Sequence, residues 1–164
     1  MELRINMEHL GKKATEKITG FTGVVVAVVE HAFNSPRIGI RSQQLHEGKP
    51  INTEFFDEVT VEVFDEVVIM PQPMQAISIG LLDQVEHKYT KLKGTVMGIS
   101  LWVTGCWRIG IQPAELNKDN SPTEECWAAP DEFIIIKKSA TSDSAKKKSP
   151  GGPMKNIPNK SNPY

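Results

Sequence analysis

The sequence predicts an all-β protein: two small barrels in tandem, followed by an extended tail. Three observations carry this. Short stretches rich in β-branched residues recur along the chain, Arg-Ile-Gly-Ile occurs twice, and the composition changes abruptly after Lys138.

The repeat is the most informative of the three. Shifted by 71 positions, the second half lies on the first without a gap over about forty residues. Lys17 falls on Lys88, Thr19 on Thr90, Gly23 on Gly94 and Val25 on Val96. Arg37–Ile40 falls on Arg108–Ile111, and Leu45 on Leu116. Further on, Glu54 meets Glu125 and Phe56 meets Trp127. A three-residue insertion, Ala128-Ala129-Pro130, then brings Asp57-Glu58-Val59 onto Asp131-Glu132-Phe133. One register held over that length predicts a tandem duplication.

Each copy reads as strands. In the first, Thr22–Glu30 and Arg37–Arg41 are β-branched, and Val59–Phe64 alternates. In the second, Thr95–Val103, Trp107–Gln112 and Phe133–Lys137 correspond. Asn34-Ser35-Pro36 and Thr104-Gly105 are hairpin-turn signals. Gly39 and Gly110 stand mid-strand at matching places, which predicts a bulge or a tight bend. Four or five short strands in about 55 residues are too few for a sandwich but suffice for a small SH3-like barrel. The expected organisation is a first barrel over 1–66, a Pro-containing linker or inter-barrel strands over 67–80, a second barrel over 81–138, and a low-complexity tail over 139–164. Pro71 and Pro73 keep the linker extended, and its flanks are apolar enough for extra strands or a seam. The tail, with a triple lysine and four prolines, has almost nothing to bury.

The totals narrow the function. Of 164 residues, 39% are hydrophobic and 24% charged, a globular balance. The net charge of −1 supplies no field for nucleic acid or anionic lipid, so neither nucleic acid nor a membrane is the expected partner. Val24–Val29 is far too short to span a bilayer, and MELRINMEHLGKK lacks a signal-length apolar core. Synthesis in a cytoplasm is the expectation. Cys106 and Cys126 form no CxxC pair, and His9, His31, His46 and His87 lack ligand spacing to either. No metal or cofactor is expected, and both thiols read as small buried hydrophobes or incidental groups.

The candidate binding residues are Arg37, Arg108, Trp102, Trp107, Lys146, Lys147 and Lys148. The two arginines are equivalent, and a guanidinium suits bidentate anion capture. The plainer reading pairs them with the recurring acids Asp57-Glu58 and Asp131-Glu132. Trp102 and Trp107 fall on His31 and Pro36 and so have no apolar aromatic counterparts in the first copy, and the tip Val103–Cys106 between them is the expected contact site. Trp127 reads as core, because Phe56 matches it. Lys146–Lys148 reads as a basic contact or a solvated run. Adjacent acids on a strand face opposite ways, and no phosphate loop, HExxH or G-x-S-x-G occurs, so no enzyme is expected.

Lys17–Gly23, Gly105–Pro113 and Glu124–Phe133 together resemble a small domain recurrent in uncharacterised proteins of tailed bacteriophages, and the Gly151-Gly152-Pro153 tail is similar to tails that follow it. The first copy departs from that pattern, with Ser35-Pro36 where the second has Cys106-Trp107. The resemblance implies a viral origin. The leading expectation is a non-enzymatic virion component, a capsid, neck or tail accessory or decoration protein made in the host cytoplasm. Its partners would be other virion proteins or copies of itself, engaged through the barrels and the tail. The alternative is a phage accessory module that sequesters a nucleotide or signalling molecule between the copies, or binds nucleic acid.

Overall fold

A computed structural model describes residues 3–140. The strands are β1 (Lys12–Glu16), β2 (Thr22–His31), β3 (Arg37–Arg41), β4 (Leu45–His46), β5 (Lys49–Pro50), β6 (Glu54–Asp57), β7 (Val61–Val67), β8 (Gln84–His87), β9 (Lys93–Trp102), β10 (Trp107–Pro113), β11 (Cys126–Ala128) and β12 (Phe133–Lys137). The helical elements are single 3-10 turns at Met7–His9, Glu58–Thr60 and Pro130–Glu132. The protein is all-β.

Ten strands form one antiparallel sheet, and β4 with β5 makes a separate hairpin. The sheet contains two five-strand runs of the same order, β6-β3-β2-β1-β7 and β11-β10-β9-β8-β12. The long central strands join them. β2 gives one edge to β3 and divides the other, with Thr22–Val24 on β1 and Ala27–His31 on β9. β9 divides its edge in the same way between β8 and β2. The cause is length: a ten-residue strand outruns its short neighbour, and its remaining N–H and C=O groups need partners. The sheet is not closed, since no pairing joins β6 to β7 or β11 to β12 among the described residues.

Backbone features recur at the offset of 71. Gly11 N–H donates to Val25 O and Leu82 N–H to Val96 O, both at 2.8 Å. Gly11 and Leu82 both have positive φ, as do Gly20 and Lys91. The ladder slips one residue at Val26 against β3 and at Met97 against β10. The bulge expected at the mid-strand glycines therefore lies beside them, with its extra residue on the neighbouring strand.

Beyond β3 and β10 the offset becomes 72. Gly39 faces Phe55, whereas Gly110 faces Trp127. Glu16 faces Val61, whereas His87 faces Phe133. The expected three-residue insertion at Ala128–Pro130 is corrected by this register: a single extra residue falls in the loop between β10 and β11, where chain length is tolerated. Phe55, not Phe56, takes the place of Trp127.

No strand occurs over 68–83, so the linker is a seam rather than extra sheet. Gln72 N–H reaches Val103 O at 2.9 Å, and Ile79 and Leu81 are buried. Gly105 permits the crossing, because a Cβ there would lie 2.3 Å from Pro73 O. One hydrophobic cluster runs through both halves, from Val25, Val28 and Ile38 to Val96, Ile99 and Ile109. A unit of about 55 residues buries little alone, and sharing a core offsets that deficit.

Candidate functional site

Register fixes which side chains meet on the outer face of the β2–β9 pair. Arg37 faces Val29, Val29 faces Ser100, and Ser100 faces Arg108. This row crosses four strands with one arginine at each end. Two residues along on one side runs the row Phe55, Gly39, Ala27, Trp102. On the other side runs His31, Gly98, Gly110, Trp127. Directly opposed residues share a face, so the three rows form one surface. Val29 and Ser100 are 71 apart and lie at its centre, giving the pairing an isologous, two-fold character.

Small residues form the floor because rings lie on it. A Cβ on Gly110 would approach Trp127 ring carbons at 2.5 Å, and one on Gly98 would approach them at 2.6 Å. In the first half a Cβ on Gly39 would meet Phe55 at 2.8 Å, with Ala27 beside it. The smaller phenyl ring leaves room for the Ala27 methyl. The larger indole needs glycine at the matching position.

Above this floor lies a pocket of about 510 Å³. Its lining includes Arg37, Arg108, Phe55, Trp102, Trp127 and His31. Trp102 stands edge-on to Phe55, centroids 6.1 Å apart at 80°, and its indole N–H donates to the Ser100 hydroxyl at 3.1 Å. His31 Nε2 donates to Glu125 Oε1 at 3.0 Å, while the buried Nδ1 has no partner among the described residues.

The two arginines differ. Arg37 lies 3.5 Å from Asp57 Oδ1 through Nε and donates from a terminal nitrogen to Phe55 O at 2.9 Å. The Arg108 guanidinium has neither hydrogen bond nor ion pair among the described residues. The corrected register explains this, because Ala128 faces Ile109 and Ala129 therefore falls where Asp57 stands in the first half. The acids expected to hold Arg108 are elsewhere: Glu132 accepts from His87, and the Asp131 carbonyl accepts from Lys88.

The structure thus brings together Arg37, Arg108 and Trp102. Trp107 is separate: its side chain is buried, and its indole N–H donates to Gln75 O at 2.7 Å. Trp102 and Trp107 do not frame one contact tip, because Trp107 faces Leu101 and so shares the side opposite to Trp102. Lys146, Lys147 and Lys148, with the rest of the tail over 141–164, lie outside the described residues. Cys106 is exposed and Cys126 half-buried, both as free thiols, so of the two expected readings the incidental one fits Cys106. Sequence reasoning missed Phe55 and His31 in this site, and Trp127, read as core, instead lays its ring over Gly98 and Gly110 in the pocket lining. Phe55 became legible only once the register moved by one.

A second cavity, of about 620 Å³, runs along the linker beside Trp107, with Asp131 its one charged lining residue among the described residues. Among the described residues no group of three or more His, Cys, Asp or Glu could hold a metal, and no helix is long and apolar enough to cross a membrane. The chain matches no protein-family description, no curated protein and no solved structure.

Proposed function

We propose that the chain is a non-enzymatic binding protein, made of two tandem copies of a small SH3-like β unit, whose shared face holds a small aromatic anion. The carrying observation is the pocket itself, with two guanidinium groups and three aromatic rings around the centre of the β2–β9 pair. The identical strand order of the two runs, the paired bulges and the recurrent positive-φ turns support the tandem reading. Short, bent strands support the SH3-like unit, although pairing leaves each run open. A binding role suits the pocket better than catalysis. Ser100, its one hydroxyl near the centre, is engaged by Trp102, and His31 is engaged by Glu125, so no nucleophile meets a base. Thermal-shift screening of aromatic anions tests the reading, since a ligand that binds only the native state raises the midpoint above its Kd. No shift from any of them counts against it.

A second reading places the protein in a bacteriophage virion as a capsid, neck or tail accessory component. The resemblance described above supports it, as do the apolar side chains left exposed on the outermost strands: Phe64 and Val67 on β7, Ile134 and Ile136 on β12. Unpaired strand edges with exposed apolar groups suit docking on another protein. Mass spectrometry of purified particles should then find stoichiometric copies, and their absence removes this reading.

A further inference from the structure

We infer that the ligand of the shared-face pocket is a mononucleotide, with its phosphate on Arg108 and its base among Trp102, Phe55 and Trp127. This rests on the small-ligand reading of that face and specifies its chemistry.

Two demands, and the spacing between the groups that make them, converge on the same molecule. The first is charge. Among the described residues, Arg108 presents an uncommitted guanidinium, whose fork of N–H donors matches two oxygens of a phosphate. Glu125, the one carboxylate that the described residues bring to the lining, is engaged by His31. The second is a planar, polarizable body. Three aromatic side chains border the pocket, and ring faces of this kind take a base by stacking. Inorganic phosphate meets only the first demand and a nucleoside only the second, whereas a nucleotide meets both.

The spacing agrees. Trp102 lies diagonally from Arg108 across the β9–β10 pair, two residues beyond Ser100, which faces that arginine. Diagonal neighbours of this kind stand roughly 7–8 Å apart, a span that one ribose bridges. The asymmetry of the arginines selects one phosphate rather than two. On the first-half side Arg37 is already held by Asp57 and by Phe55 O, so a second phosphate would compete with bonds in place.

Calorimetry and tryptophan fluorescence on the full chain test this with AMP, GMP, CMP and UMP. The parent nucleosides, inorganic phosphate, a symmetric cyclic dinucleotide and anilinonaphthalene sulfonate serve as further arms. At least one mononucleotide should bind and perturb tryptophan emission, with its nucleoside and inorganic phosphate each weaker by about tenfold or more. Arg108→Gln should weaken the nucleotide by about tenfold while leaving the nucleoside unchanged, and Arg37→Gln should do less. Both changes are on exposed side chains, and circular dichroism verifies that the variants fold. If anilinonaphthalene sulfonate binds and loses affinity in Trp102→Ala while no mononucleotide binds, the mononucleotide assignment falls and the small-ligand reading stands. If nothing binds, both fall. A dinucleotide that outcompetes every mononucleotide, or an equal effect of Arg108→Gln on nucleoside and nucleotide, also overturns the assignment.

Discussion

The turn after β1 and the turn after β8 share a backbone and differ in chemistry. In the first, the buried Glu16 carboxylate accepts from Thr19 N–H at 2.7 Å, from the Thr19 hydroxyl at 2.6 Å and from Ile18 N–H at 3.0 Å. These bonds, the Thr19 hydroxyl foremost, hold its carboxyl below the usual range. In the second, His87 Nδ1 accepts from Thr90 N–H at 3.2 Å, so Nε2 carries the proton and donates to Glu132 at 2.9 Å. Across from Glu16 stands Thr60, and across from His87 stands Glu132. Each half pairs one carboxylate with one neutral partner, on opposite sides of the same gap. The backbone conformation is common to both halves, and the chemistry that stabilises it has been exchanged. The shared face teaches the same lesson, with Phe55 over Gly39 beside Ala27 and Trp127 over Gly110 beside Gly98.

This comparison can be broken most forcefully at Gly23 and Gly94. A Cβ on Gly23 would stand 2.1 Å from Arg41 O, and one on Gly94 2.5 Å from Gln112 O. Both obstacles are backbone, so the strands must part. Gly23→Ala should cost about 3 kcal/mol or more in urea unfolding, and Gly94→Ala somewhat less. A loss under about 1 kcal/mol at both would show the strand approach to be wrong.

The exchanged turns come next. His87→Glu sets a second carboxylate against Glu132 and should cost about 2 kcal/mol. Adding Glu132→Thr recreates the first-half arrangement and should restore most of that loss. Failure of the double variant to recover would break the equivalence of the two turns.

On the shared face, Gly98→Ala should cost about 1–3 kcal/mol because the methyl meets the Trp127 ring. Combined with Trp127→Phe it copies the Ala27–Phe55 arrangement, and a double-mutant cycle should show a favourable coupling. Strict additivity would mean that ring size and floor residue are unrelated.

The smallest effect concerns Asp83, which belongs to the second half alone, since Lys12 stands at its place in the first. Burial pushes its carboxyl up, but N–H groups of Gly80 and Ser139 with the Lys138 ammonium outweigh this and hold it below the ordinary value. A lowered folded-state pKa gives stability that is present above the unfolded value of about 3.9 and lost as pH falls through the folded one. Asp83→Asn should therefore cost about 1 kcal/mol at neutral pH and flatten the acid limb of the stability curve. An unchanged acid limb would show that this contact contributes nothing.

Much of the fold was legible in the chain. Thr22–Glu30 and Arg37–Arg41 read as strands because β-branched residues crowd there, and they form β2 and β3. The offset of 71 announced matching elements, and β2 and β9 have bounds at that offset. The inserted residue was misplaced because Phe55 and Phe56 are both large and apolar, and either satisfies a match to Trp127. Closure could not be read either, because alternation tells which face is buried and not which edge is paired. Of the site, Arg37, Arg108 and Trp102 were legible as types. Trp107 belonged to the core because strand parity, visible only with the register, turned it the other way.

Hydrophobic pattern, turn residues and the repeat determined by themselves that this chain is all-β and that its parts recur, since strand formation and turn chemistry are set within a few residues. Tertiary structure alone decided that β2 and β9 pair with each other, which places two arginines on one face and, among the described residues, leaves only one of them held by an acid. The reason is physical. A strand edge carries the same N–H and C=O groups whatever its side chains, so its partner is chosen by the packing of the whole molecule.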